Sequence, residues 1–416
     1  MKLEMKVLED NGTWELVYLP PGKRAIDSKW VYKITFKPTG EVERYKARLV
    51  ARGFTQIPGV DYHETFAPVA KLVTVRCLIA VAAVRGWPLH QLDVNNAFLH
   101  GDLEEEVYMK VPEGFSRTGD HRVCRLKKSL YGLRQASRNW HARFTASLLD
   151  LGFRQSRADY SLFVSHHGDS FVVALIYVDD VILTGNDDAF ITTVKRRLDS
   201  DFSIKDLGPL KFFLGVEVAR SPSGIVLNQR KYAMDILEDS GLTGGRPSAF
   251  PMEQHNQLAL AETPPITDPG QYRRLIGRLL YLTITRPDIQ YAVNFLCQFI
   301  DSPKREHVEA AARILRYLKR APGQGLFFPS ASSLTLQAYC DADWGGCALT
   351  RRSTTGYLIR LGDAPISRRT KKQNIVARSS AEAEYRAMAT TVSELLWLRA
   401  LLQDLGAPQH GPTTLF

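Results

Sequence analysis

Residues 171–185 read FVVALIYVDDVILTG. Apolar side chains, many of them β-branched, run from Phe171 to Val178 and resume at Val181, Ile182 and Leu183. Two adjacent carboxylates, Asp179 and Asp180, interrupt them. An unbroken apolar run of this length suits a buried strand. Two such runs joined by a short polar dipeptide suit a tight hairpin. The carboxylates then stand at the tip of a buried hairpin, where anions cost free energy unless a cation sits beside them. Two readings stay open on this stretch: a divalent-metal site for phosphoryl chemistry, or an Asp-Asp turn facing water.

The rest of the composition narrows the class. At 416 residues and 44% hydrophobic, the chain can bury a sizeable core and is expected to form two or three domains. Lys and Arg total 54 against 44 Asp and Glu, a net charge of +10 with a pI near 9.3. That excess suits a phosphate-rich partner. No apolar run is long enough to span a bilayer, and MKLEMKVLEDNG lacks an apolar signal core, so no membrane is expected. Cys77, Cys124, Cys297, Cys340 and Cys347 are scattered without a CxxC, which argues for free thiols in a reducing, intracellular compartment.

Working outward, Ser28–Phe36 and Tyr45–Gly53 read as the arms of a basic hairpin turned by Pro38–Glu41. Lys46, Arg48 and Arg52 alternate with apolar residues there. They are either a solvated face or a cationic surface for phosphates. Helical spacing covers Leu72–Arg85, stopped by Gly86 and Pro88, and Leu89–Val94 is a short strand carrying Asp93. An amphipathic helix follows Tyr131-Gly132-Leu133 and passes through Trp140 and Phe144. Strands are expected at 160–165, 171–178 and 181–184, and a helix at Asp187–Asp201. A second hairpin is expected at Leu210–Ala219 and Ile225–Asn228. This order predicts an α+β fold in which helices cover one face of an antiparallel sheet, with the Asp93 strand beside the central hairpin. Residues 244–270 read as a linker, and Tyr272–Leu282, Ile289–Phe299 and His307–Leu318 as basic helices. Strands at Leu334–Asp341 and Gly356–Leu361 precede a helix from Ala381 to Leu405. That helix opens on a Ser379-x-x-Glu382 capping box and ends at Gly406.

Long stretches of the chain resemble the reverse transcriptase of copia-type LTR retrotransposons. They include KWVYKITF, RYKARLVARGFTQ, QLDVNNAFLHGDLEEEVYM, LKKSLYGLRQASRNW, YVDD, KDLGPLKFFLGVEV, TRPDI and SSAEAEYRAM, in that family's order. The resemblance implies a right-hand polymerase: fingers and palm in residues 1–255, a helical thumb and connection in 256–330, and a partial RNase H-like domain in 331–416. It implies RNA-directed DNA synthesis onto a primer 3′-hydroxyl, with an RNA template, a DNA primer and dNTPs as partners. The metal-binding aspartates map onto Asp93, Asp179 and Asp180, which would share two Mg²⁺ ions, with Mn²⁺ as the alternative. Phe98 maps onto the aromatic residue under the incoming sugar, which would clash with a 2′-hydroxyl. Tyr131 and Gly132 map onto the nucleotide-binding turn, Lys33, Lys46 and Arg48 onto triphosphate contacts, and Phe213, Leu214 and Gly215 onto the hairpin gripping the primer.

For the RNase H-like part, the resemblance supplies Asp341 and Glu384 but neither the third nor the fourth carboxylate of that chemistry. Asp343 and Glu382 sit in the wrong places to substitute. The expectation is therefore no RNase H activity, and an open apolar edge on the Leu334–Asp341 strand. Arg368 departs from the family's usual Trp. The implied setting is a transposable-element Pol polyprotein involved in DNA integration, acting in a cytoplasmic particle or the nucleus. The competing reading is an inactive remnant that at most binds nucleic acid. Oligomeric state is not legible.

Overall fold

The computed structural model describes residues 1–37, 39–115, 119–254 and 257–416. Pro38, expected in a turn, and the expected division at 255/256 lie outside them. The chain forms two compact units, one of residues 1–71 and 90–208, the other of residues 72–89 and 209–416. The expected division at 330/331 falls inside the second.

The first unit begins with a helix that the periodicity did not announce, α1 (Lys2–Asp10), which buries Met5 and Leu8. Strands β1 (Trp14–Val17), β2 (Ala25–Ile26), β3 (Ser28–Phe36) and β4 (Val42–Ala51) follow. Helix α2 (Leu72–Arg85) belongs to the second unit. Then come β5 (Leu89–Val94), β6 (Tyr108–Lys110), β7 (Val123–Leu126) and α3 (Ala136–Asp150). The unit ends with β8 (Arg154–Gln155), β9 (Leu162–His167), β10 (Ser170–Tyr177), β11 (Asp180–Gly185), α4 (Asp188–Phe202) and β12 (Ile204–Pro209).

The basic hairpin is β3 paired antiparallel with β4, placing Lys33 opposite Lys46 and Val31 opposite Arg48. A four-stranded sheet, β1-β7-β6-β2, lies outside the sequence reading. Its strands are two to four residues long, too short to carry a period. The central sheet runs β12-β5-β11-β10-β9-β8, so the Asp93 strand does neighbour the hairpin. Trp140, Phe144 and Leu148 of α3 and Ile191, Val194, Leu198 and Phe202 of α4 pack against Leu92, Phe163, Val172, Ala174, Ile176 and Leu183. Val173, Leu175 and Ile182 are fully buried as well. The central hairpin is thus buried on both faces, which is what its lack of polar alternation requires. β12 was missed because IKDLGP is mostly exposed and carries almost no apolar signal.

In the second unit the expected single strand 210–219 is broken. β13 (Phe212–Phe213) and β14 (Val216–Ser221) form a tight hairpin of their own, continued by β15 (Gly224–Asn228). The break is at Leu214 and Gly215, with φ of +50° and +73°. A Cβ on Gly215 would lie 2.3 Å from the Tyr281 hydroxyl, so this close approach and the positive φ both favour glycine. Helices α5 (Arg230–Asp239), α6 (Pro269–Leu282), α7 (Gln290–Leu296) and α8 (Arg305–Arg320) share one core through Ile236, Ile276, Leu279, Val293, Ile314 and Leu318. Within the predicted linker, Met252, Leu258 and Ile266 pack against that core. The TRPDI landmark is structural here. Arg286 is 1% exposed and forms a two-pronged hydrogen bond to Asp288 (Nε–Oδ1 3.0 Å, Nη2–Oδ2 2.7 Å), while its Nη1 donates to the Ala321 carbonyl at 2.9 Å.

Beyond β16 (Leu326–Pro329), a sheet of order β19-β18-β17-β20 is built from β17 (Leu336–Asp343), β18 (Thr354–Leu361), β19 (Ala364–Lys372) and β20 (Thr414–Leu415). Its helix, α9 (Ser380–Asp404), packs on β17 and β18. Ser379 caps α9 by accepting from the Glu382 N–H at 3.1 Å, and Glu382 accepts from the Arg378 N–H at 2.7 Å, so the box is shifted by one residue on its acidic side. The expected open edge on β17 is overturned. β20 pairs with it in parallel at Gln337 and Ala338, and the Phe416 ring stacks on Tyr339 at 4.9 Å. Backbone bonds from Phe416 N to Ala338 O and from Cys340 N to Phe416 O secure the pairing. All five cysteines are free, and Cys77, Cys124 and Cys347 are buried.

Candidate active site

The carboxylates meet because of strand order. The last pair of the β10–β11 ladder is Tyr177 with Asp180, so Val178 and Asp179 form a two-residue loop and Asp180 already lies in β11. β5 neighbours β11, and the Val94 N–H donates to the Asp179 carbonyl at 2.9 Å. Asp93, one residue earlier, therefore arrives beside the loop. All three carboxylates are part-exposed. Burial raises the Asp180 carboxyl above the usual carboxylate range. Its hydrogen bond from Gln91 Nε2, at 3.2 Å, opposes this, and the charges of Asp179 and Asp93 reinforce it. The three groups share one electrostatic field.

Val178 carries the strain of this arrangement. Its φ is +59°, a left-handed value that costs a β-branched residue about 1–3 kcal/mol. The Trp140 indole donates to its carbonyl at 2.7 Å. Gln91 and Trp140 were not among the sequence-derived candidates. Leu89, Gln91 and Asp93 alternate along β5, so Gln91 shares a face with Asp93, a period-two signal that was available. Nothing in the helical pattern around Trp140 shows where its N–H points.

The nucleotide-turn candidates lie beside the aspartates. Tyr131 meets Phe98 edge-on with ring centroids 5.1 Å apart, and the Arg48 guanidinium lies over the Tyr131 ring at 4.6 Å. Burial raises the Tyr131 phenol; Arg48 opposes this, and Asp179 and Asp93 add to it. Arg48 Nε is buried with no hydrogen-bond partner among the described residues. Burial lowers the Lys46 ammonium, Arg48 and Arg44 add to this, and Asp93 opposes it. Lys33, opposite Lys46 in the hairpin register, is exposed. Gly132, at φ +91°, seats the turn: the Ala51 N–H donates to the Tyr131 carbonyl at 2.7 Å, and a Cβ at 132 would lie 2.2 Å from the Ala51 carbonyl oxygen. Arg48, Tyr131, Phe98, Asp93 and Asp179 thus form one neighbourhood, a cationic and aromatic wall beside an anionic floor.

Among the described residues, no group of three or more His, Cys, Asp or Glu side chains converges as a ready-made metal cage. The donor chemistry still suits a small hard cation. Mg²⁺ prefers oxygen ligands and is ordinarily held by one or two carboxylates, with waters and substrate phosphates completing its shell.

The other candidates belong to the second unit. Phe213, Leu214 and Gly215 make the β13–β14 turn of the second unit, where the Tyr281 hydroxyl donates to the Leu214 carbonyl. Asp341 lies exposed on β17 and Glu384 is the fifth residue of α9, with Glu384 Oε1 accepting from the Ala342 N–H at 3.4 Å. Asp343 accepts from the Thr354 N–H, and Glu382 is paired with Arg386, so both are engaged locally. Arg368 donates to Gln290 Oε1 at 2.6 Å and to the Thr283 carbonyl, tying β19 to the helical part of its own unit. No helix among the described residues is long and apolar enough to cross a membrane.

Comparison with known proteins identifies the family. Residues 11–254 match the family model described as reverse transcriptase (RNA-dependent DNA polymerase). The chain is 45% identical, over its whole length, to the retrovirus-related Pol polyprotein from transposon RE1 of Arabidopsis thaliana, and covers 28% of that protein. It is 39% identical, over 98% of its length, to the Pol polyprotein from transposon TNT 1-94 of Nicotiana tabacum, and covers 32% of it. It therefore spans about a third or less of these relatives. The adjoining aspartates, the matched residues and these relatives together place the chain in the reverse transcriptase family, in its copia-type retrotransposon branch.

Proposed function

We propose that the chain is an RNA-directed DNA polymerase that adds deoxynucleotides to a primer 3′-hydroxyl on an RNA template. The adjacency of Asp93 to the Val178–Asp179 loop, which leads into Asp180, carries this reading. Two divalent cations held by these three residues would supply Lewis-acid activation of the hydroxyl and neutralisation of the phosphates. The chain's own contribution is placement. Arg48 and Lys46, with Lys33 opposite Lys46 on the same hairpin, offer positive charge to a triphosphate. The unpartnered Arg48 Nε is a donor awaiting an anion. Tyr131 and Phe98 offer an apolar floor to the nucleoside, and Phe98 sets the sugar preference by excluding a 2′-hydroxyl. No RNA-cleaving role is proposed for Asp341 and Glu384, because the nearby carboxylates Asp343 and Glu382 are already engaged.

The test is primer extension on an RNA template with dNTPs and Mg²⁺, beside an Asp179→Asn control. Extension by the wild type and its loss in the variant are expected. A folded, monodisperse wild type that binds the hybrid without extending it would instead support the nucleic-acid-binding remnant.

A further inference from the structure

We propose that Trp140 is a positioning residue that locks the peptide unit between Val178 and Asp179, and through it the direction of the Asp179 carboxylate. The proposal rests on the reading of the aspartates as a polymerase site. The loop has positive φ at Val178 and not at Asp179, the signature of a type II′ turn. A II′ turn differs from its I′ counterpart by a rotation of the central peptide through nearly half a turn. In this loop the carbonyl of that central peptide is Val178 O, and it is the atom that Trp140 Nε1 reaches at 2.7 Å. Rotating the peptide would break this bond and re-aim the backbone of Asp179.

The usual residue at the first central position of a II′ turn is glycine, which favours positive φ without help. Valine does not, so this loop depends on an outside restraint. The restraint is rigid. Trp140 is 2% exposed and ringed by Phe144 at 5.1 Å, Phe202 at 5.2 Å and His100 at 5.9 Å. On the other side the Val94 N–H holds Asp179 O at 2.9 Å. Both loop carbonyls are therefore held from outside the hairpin, one from α3 and one from the strand that carries Asp93.

Trp140→Phe keeps an aromatic ring and removes the N–H. The expected result is a fall in kcat of about tenfold or more with KM for dNTP nearly unchanged, together with weaker Mn²⁺ binding by the metal-titrated protein in electron paramagnetic resonance. Val178→Gly in the Trp140→Phe background should restore most of both, because glycine holds the turn without the indole. Should Trp140→Phe fail to fold, benzothienylalanine at position 140 removes the N–H at constant shape and is expected to give the same losses. Lower thermal stability with unchanged kcat and Mn²⁺ affinity, or losses that Val178→Gly leaves untouched, would overturn the proposal. An inactive wild type would refute the polymerase reading, while the Mn²⁺ titrations would still decide the role of Trp140.

Discussion

Replacing Gly132 with alanine puts the nucleotide-turn geometry under direct strain. Two costs can be separated. The first is conformational: φ at 132 is +91°, and holding a residue with a Cβ in the left-handed region costs about 1–2 kcal/mol. The second is steric. The new Cβ would lie 2.2 Å from the Ala51 carbonyl oxygen and 2.7 Å from Val50 Cγ1. A backbone carbonyl cannot swing aside like a side-chain end, so β4 or the turn must move, and overpacking of this kind costs about 1–3 kcal/mol. The sum is about 2–5 kcal/mol, a large fraction of an ordinary domain's stability. Gly208→Ala is the matched control: φ is +75° and nothing lies within 4 Å of the added Cβ, so only the first cost applies. Native-state amide exchange over residues 44–52 and 128–135 reads the local opening free energy without assuming a single unfolding transition. The expected result is a larger loss of protection in Gly132→Ala than Gly208→Ala produces around its own position, with a raised KM for dNTP as the Arg48–Tyr131 stack shifts. Equal losses in the two variants would refute the steric argument.

Asp288→Asn should destabilise the second unit by about 3 kcal/mol or more, because it leaves the buried Arg286 guanidinium without its counter-charge. Burial alone would raise the Asp288 carboxyl, but the hydrogen bonds and charge of Arg286 outweigh it and hold the group below the usual carboxylate range. The sign follows. The unfolded chain takes up this proton at a higher pH than the folded one, so the contribution is present above the ordinary carboxylate pKa and is lost as pH falls through the lowered value. Acid titrations of wild type and Asp288→Asn followed by circular dichroism should therefore converge at low pH, and parallel curves would count against the pair. Phe98→Ala should admit ribonucleotides, seen as a higher ratio of rNTP to dNTP incorporation in primer extension; an unchanged ratio removes Phe98 from sugar selection.

Much of the chain was legible because its signals are local. Leu72–Arg85 and Leu89–Val94 were read to the residue, since Gly86 and Pro88 mark the stop between them. Elsewhere the local signal misled. Leu210–Ala219 reads as one apolar run, yet Gly215 and the approach of Tyr281 fold it into a hairpin. The β17 edge was expected to stand open, yet Thr414 and Leu415 close on it from far along the chain. The basic stretch 368–372 carries no apolar period, yet it belongs to β19, whose Arg368 reaches Thr283 and Gln290.

The order of residues alone was enough to mark the Asp179–Asp180 hairpin, the Asp93 strand and the helices between them, because burial and periodicity are written into neighbouring positions. Only the folded chain decided which groups meet across it: the Trp140 indole at the Val178 carbonyl, Gly132 against Ala51, Arg48 over Tyr131. Those contacts join residues some 40 to 80 positions apart. They depend on strand order and on the direction of single bonds, which no period in the sequence encodes.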